Sequence, residues 1–257
     1  MKNGNGYGAF LSISEENIDR LHDYNVVAID VQYFSADSVA RLKQDGKEVM
    51  GYLNIGSLED FRNYYDAYVH LTFMDYENWD EERWIDISAE EWQSFIIDTL
   101  AADFKAKGAD GVYMDNLDVY SVAKEYYGDK SQTAEFYSGI KKIIQGVAAH
   151  GLKVVINGGS EFLEEAIENN DNVTRSIYAY HQEEVFTVIL DYDNDVFGEQ
   201  DKEDSEYYQE VIKAADNAGM KIFLLEYTTD EMLIEKTAEY CEAHGYYYYC
   251  SPHVALN

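Results

Sequence analysis

Short runs of β-branched and aromatic residues recur along the chain, separated by stretches whose apolar positions fall three and four apart. That alternation predicts a parallel sheet wrapped by helices. Eight runs read as strands: Gly8 to Ile13, Val26 to Tyr33, Glu48 to Ile55, Gly111 to Asp115, Lys153 to Asn157, Ser176 to Gln182, Lys221 to Tyr227 and Tyr246 to Cys250. Between them, Ser88 precedes a run in which Trp92, Phe95, Ile96 and Leu100 recur at helical spacing before Gly108. Thr229 with Asp230 opens a second helical stretch that Gly245 closes, and Gly151 and Gly219 stand where two more should stop. Eight strands alternating with helices predict a (β/α)₈ TIM barrel, and 257 residues is the usual length for one.

A single proline, Pro252, and no Gly/Ser-rich segment leave no sign of a linker, so residues 1–257 read as one catalytic-size domain. The longest excursion runs from Ser57 to about Trp84 and carries Phe61, Tyr64, Tyr65, Tyr76 and Trp79. Long loops after barrel strands usually cover the active site, and this one is expected to do so.

In a barrel, chemistry gathers at the C-terminal strand ends. Here those ends are polar in succession: Asp30, Gln32 and Tyr33 after strand two, Tyr52 and Asn54 on three, Asp115, Asn116 and Asp118 on four. Asn157 ends strand five, Tyr180, Gln182, Glu183 and Glu184 end six, and Glu226 and Tyr227 end seven. Alone, Asp115 reads as a turn residue and Glu183 as an exposed charge. Two strands apart on one ring, they become the paired carboxylates that glycoside hydrolysis requires, one to protonate the leaving oxygen and one to act as nucleophile or base. Alternation along a strand lets only one of Glu183 and Glu184 face the mouth, and Glu183 is chosen. Tyr33, Tyr52, Tyr180 and Tyr227 are candidates to line the cleft, because aromatic faces stack on sugar rings.

Fifty Asp+Glu against 19 Lys+Arg give a net charge of −31, which repels nucleic acid and anionic membranes. No run approaches the ~18 apolar residues of a membrane span. The same charge would attract a cationic polymer, or simply keep the protein in solution. Cys241 and Cys250 lie outside any CxxC or Cys/His cluster, which supports neither a disulfide framework nor a zinc site. Residues Asp191 to Asp201 alternate carboxylates as calcium loops do, but Val196 and Lys202 stand where an EF-hand needs Gly and Glu. A loop over the barrel mouth is the preferred reading there.

The chain resembles glycoside hydrolase family 114, the endo-α-1,4-polygalactosaminidases, in its bacterial branch. The likeness rests on Tyr52-Leu-Asn-Ile-Gly-Ser-Leu-Glu-Asp-Phe-Arg62, Trp84-Ile-Asp-Ile-Ser88, Gly111-Val-Tyr-Met-Asp-Asn-Leu-Asp118, Ile156-Asn-Gly-Gly159, Gln182-Glu-Glu-Val-Phe186 and Leu225-Glu-Tyr227. It implies a barrel without an obligatory metal or organic cofactor, acting on an α-1,4-linked galactosamine-containing polysaccharide. It also implies Asp115 and Glu183 as the catalytic acids, cast by analogy with retaining α-specific barrels as nucleophile and acid/base. Asp30, Tyr52, Asn54, Asn116, Asp118, Asn157, Tyr180, Glu226 and Tyr227 are the expected substrate-binding set, with Asp30, Asp118 and Glu226 as candidate contacts to the ammonium groups of a deacetylated galactosamine polymer. Val185 stands where fungal members carry cysteine.

Two other readings use the same residues: a barrel that binds carbohydrate without cutting it, and a glycosidase of this fold acting on another polysaccharide. A phosphate-handling enzyme is disfavoured, because neither Tyr227-Thr-Thr-Asp230 nor Cys250-Ser-Pro-His253 forms a glycine-rich phosphate turn. The N-terminus, MKNGNGYGAF, holds no apolar leader segment. A polymer-degrading role nevertheless points to the cell surface or exterior, with the cytoplasm as the alternative.

Overall fold

Parallel strands buried under helices have no solvent face, so they read as unbroken apolar runs, and Val26-Val-Ala-Ile29 is one of them. In the computed structural model, which describes residues 3–4, 6–77 and 79–257, eight such strands follow one another in sequence order around a nearly closed barrel. They are β1 (Tyr7–Phe10), β2 (Val26–Ile29), β3 (Glu48–Asn54), β4 (Gly111–Asp115), β5 (Lys153–Asn157), β6 (Ala179–Glu183), β7 (Lys221–Tyr227) and β8 (Tyr247–Ser251). Neighbouring strands from β1 to β8 pair in parallel. Among the described residues β8 and β1 share no ladder; the two-residue strand Asn3–Gly4 pairs antiparallel with β8 instead. The fold is the predicted (β/α)₈ TIM barrel.

Strand ends depart from the sequence reading where side chains offer the backbone another partner. β2 stops at Ile29 because the Asp30 carboxylate accepts the Gln32 N–H and turns Val31–Tyr33 into a 3₁₀ turn. β6 starts at Ala179 rather than Ser176, since Asp171 caps a 3₁₀ turn over Asn172–Ser176. The helix cues hold better. Gly108 (φ 96°) ends the helix over residues 90–107, and Gly245 (φ 74°) ends Glu231–His244, whose first turn Asp230 caps through Met232 N–H.

The barrel interior is aromatic. Tyr7 packs edge-on against Phe223 and His181, His181 against Tyr113, and Tyr113 stacks near Tyr52. Side chains alternate along a strand, so the residue two places beyond each of these points the same way, one layer nearer the C-terminal mouth. Beyond Tyr113 that residue is Asp115; beyond His181 it is Glu183.

Two decorations rise around this mouth. The excursion after β3 folds into a three-stranded antiparallel sheet of Ser57–Glu59, Thr72–Asp75 and Glu82–Ile85. After β6, Thr187–Asp191 and Val196–Glu199 form a hairpin, and its Asp195 is tied to His253 and to the Val254 N–H near the C-terminus. Trp79 of the first meets Tyr192 of the second edge-on, ring centroids 5.8 Å apart.

Candidate active site

Between these decorations and the strand ends lies a cavity of about 850 Å³. At its floor five consecutive strands each contribute one side chain to a continuous hydrogen-bonded belt. Tyr52 (β3) donates its hydroxyl to Oδ2 of Asp115 (β4) at 2.9 Å, and Asn157 (β5) donates from Nδ2 to Oδ1 of Asp115 at 2.8 Å. The same Nδ2 donates to Oε1 of Glu183 (β6) at 2.7 Å, and Tyr227 (β7) donates to Oε2 at 2.6 Å. The Asn116 backbone N–H, 2.9 Å from Oδ1, completes the donors to Asp115. The two carboxylates thus share one amide nitrogen.

Burial raises the pKa of both acids. For Glu183 the negative charge of Asp115 adds to it, and the bonds from Tyr227 and Asn157 only partly offset the rise, leaving it at about 7. For Asp115 the bonds from Asn157, Asn116 and Tyr52 oppose the rise. One acid that holds its proton near neutrality beside another bathed in donors is equipment for general acid chemistry coupled to a nucleophile.

A second group of charges lines the wall. Arg62 lies between Asp30 (Nη1, 2.7 Å) and Glu59 (Nε, 2.6 Å; Nη2, 3.1 Å), with the ring of Phe61 5.0 Å and that of Tyr33 5.5 Å from its guanidinium carbon. Glu82 faces the cavity beside them. It accepts from Ser57, Asn54 and Asn116, and burial, together with the charge of Glu59, pushes it up to about 7. Arg62 is the sole Lys or Arg lining the cavity among the described residues.

A sequence profile of Glycoside-hydrolase family GH114 matches residues 3–252. The chain belongs to this family. No curated protein matches it in sequence. Among solved structures, the glycoside hydrolase domain of PelA from Pseudomonas aeruginosa is 18% identical with a TM-score of 0.80, over 99% of this chain and 96% of that one. Aspergillus fumigatus Ega3, in complex with galactosamine, is 16% identical with a TM-score of 0.73, over 99% and 93%. The Bacillus licheniformis trehalose-6-phosphate hydrolase TreA is more distant, at 10% identity and a TM-score of 0.52 over 86% and 57%. At these identities the likeness is one of fold.

Of the residues that the sequence singled out in this GH114 barrel, Asp30, Tyr52, Asp115, Asn116, Asp118, Asn157, Glu183 and Tyr227 line the cavity, and so does Tyr33 at its rim. Three do not. Tyr180 lies three residues before Glu183, hence on the opposite face of β6, and is buried against Ser160 and Gln182. Glu226 adjoins Tyr227 and points away from the mouth, where it accepts the N–H groups of Val185, Phe186 and Thr187 and the Thr187 hydroxyl, anchoring the hairpin's entry. Asn54 is buried in the turn into the excursion, bound to Ser57 and Glu82.

Asp30 lines the cavity, but its charge is matched by Arg62, so it is not an open ammonium contact. Asp118 faces the cavity, where its carboxylate accepts the Gly159 N–H and desolvation pushes it up to about 6; Gly158 and Gly159 both adopt positive φ (62° and 69°) to bring that N–H there. Glu184 also reaches the cavity, contrary to strict alternation. The strand has ended, Glu184 itself has φ 57°, and its carboxylate accepts the Ile189 N–H.

Of the excursion's aromatics, Phe61, Tyr76 and Trp79 line the cavity, whereas Tyr64 packs on Phe95. Asp191 spends its carboxylate on its own turn, accepting from Asp193 and Asn194, and no group of three metal-binding side chains occurs among the described residues. The sequence reading missed Glu59, Arg62 and Glu82. For Glu82 the available signal was parity, since Glu82 and the buried Trp84 share a strand face; Glu59 and Arg62 stood inside the Tyr52–Arg62 run that carries the family likeness.

Proposed function

We propose that this protein is an endo-acting glycoside hydrolase that cuts α-1,4-linked, galactosamine-containing polysaccharide with retention of configuration, Asp115 serving as nucleophile and Glu183 as acid/base. The observation that carries this reading is the shared Asn157 nitrogen. Bonds of 2.8 and 2.7 Å from one atom hold the near oxygens, Oδ1 of Asp115 and Oε1 of Glu183, at most about 5.5 Å apart, which favours the closer spacing of retaining pairs.

In the first step Glu183 gives its proton to the glycosidic oxygen as the bond to the anomeric carbon breaks and the Asp115 carboxylate bonds to that carbon. In the second, Glu183 takes a proton from water, whose oxygen displaces Asp115 and regenerates both acids. A galactosamine polymer suits the cavity electrostatically: Arg62 is neutralised by its own partners, and Asp115, Asp118, Glu82, Glu183 and Glu184 leave the lining acidic. A polymer substrate also favours a place at the cell surface or beyond it.

The test is release of reducing ends from α-linked galactosamine, N-acetylgalactosamine and neutral polysaccharides. Wild type is expected to cut a galactosamine-containing polymer, and Asp115→Asn and Glu183→Gln each to lose ~10²- to 10⁴-fold in turnover. Binding without any new reducing ends would turn the reading to a carbohydrate-binding barrel.

A further inference from the structure

The amide that joins the two carboxylates is itself held from below. Asn157 serves both acids with its nitrogen toward them, because a carbonyl oxygen there would meet the Asp115 carboxylate acceptor to acceptor. Its Oδ1 lies 2.7 Å from Nδ1 of His181. That ring is fully buried, and burial lowers its pKa to about 3, so it is neutral with a single ring proton. Oδ1 accepts, which puts the proton on Nδ1. The Tyr113 hydroxyl, 3.1 Å from the same nitrogen, then finds no lone pair there and donates instead to Oε1 of Glu183 at 3.3 Å. Nε2 of His181 has no partner among the described residues, so the ring's polar contacts all pass through Nδ1.

We propose that His181 is a positioning residue: by donating from Nδ1 to Oδ1 of Asn157 it fixes the amide so that Nδ2 spans Asp115 and Glu183. Without that donor the amide keeps only its contacts to the two acids, and its plane is freer to leave the line on which Nδ2 reaches both. The inference rests on the reading of Asp115 and Glu183 as the reacting pair, but its first readout needs no substrate.

His181→Phe keeps a ring and removes the donor, whereas His181→Asn restores a side-chain N–H near the place of Nδ1. Wild type and both variants would be compared by carbon NMR titration of labelled Glu183 and by the pH profile of kcat. The other titratable groups facing Glu183 are the carboxylates of Asp115 and Glu184 and the phenols of Tyr7, Tyr76, Tyr113, Tyr192 and Tyr227, whose pKa values all lie above the ordinary tyrosine value.

His181→Phe is expected to raise the Glu183 midpoint by about half a unit or more, because the lost bond favoured the charged form. The alkaline limb of kcat should move with it, turnover should fall on the order of tenfold, and KM should stay within about twofold. His181→Asn should return the midpoint and most of the turnover. An unmoved midpoint in His181→Phe, or an equal shift in His181→Asn, overturns the proposal. If His181→Phe does not fold, His181→Leu against His181→Asn, two side chains of one size, is read in the same way. A midpoint that shifts as expected in a protein that cuts no glycan keeps the clamp and removes the hydrolase.

Discussion

Two pairs of carboxylates face the same cavity and are bridged in opposite ways. Asp30 and Glu59 close on the guanidinium of Arg62, which is only 5% exposed; Asp115 and Glu183 close on the neutral amide of Asn157. A guanidinium keeps its proton at any ordinary pH and brings a full charge in a fixed fork, so it opposes the burial that raises the pKa of Asp30 and Glu59. An amide supplies only two polarised N–H bonds. Repulsion between its partners persists, and Glu183 holds its proton up to about 7. The bridging group's charge therefore separates a triad that shapes the wall from a pair in which a proton can move.

The largest difference is expected in stability. Arg62→Met leaves Asp30 and Glu59 buried without a cation and should cost about 3 to 5 kcal/mol in denaturant unfolding, as breaking buried ion pairs does. Asp115→Asn, which removes repulsion from the other pair, should leave stability equal or raise it. Similar losses from both would erase the distinction drawn between the bridges.

A smaller effect is set by pH. Glu82, Glu183 and Glu226 are each raised from 4.5 to about 7, chiefly by burial, so between those values the folded chain binds more protons than the unfolded one. The stability they contribute is present below about 4.5 and lost as pH rises through 7. Unfolding midpoints should be higher at pH 5 than at pH 8, and Glu226→Gln should flatten that slope; a midpoint that climbs toward pH 8 would contradict the shifts. Turnover should likewise decline above about 7 as Glu183 loses its proton.

The smallest effect concerns the field of the whole chain. If a net charge of −31 steers a cationic polymer, raising salt should increase KM more than it lowers turnover. An unchanged KM would confine electrostatics to the cavity itself.

The barrel was legible because parallel strands and capped helices write their periods locally. The carboxylate pair was legible because Asp115 and Glu183 each end a strand. Tyr180 and Glu226 were misplaced for want of parity: a residue three before Glu183, or adjacent to Tyr227, cannot share its face. Glu59, Arg62 and Glu82 lay in an excursion whose own small sheet decides where they point, and parity with Trp84 recorded that for Glu82 alone. The role of His181 needed the layer beneath the mouth, where a strand-interior histidine otherwise reads as core.

Two acids sharing one amide nitrogen are proposed to cut a glycosidic bond through a covalent intermediate, and proton NMR of the first sugar ends released from an α-1,4-linked galactosamine polymer reads that out. The α anomer should appear first and then mutarotate; the β anomer appearing first would rule the covalent route out.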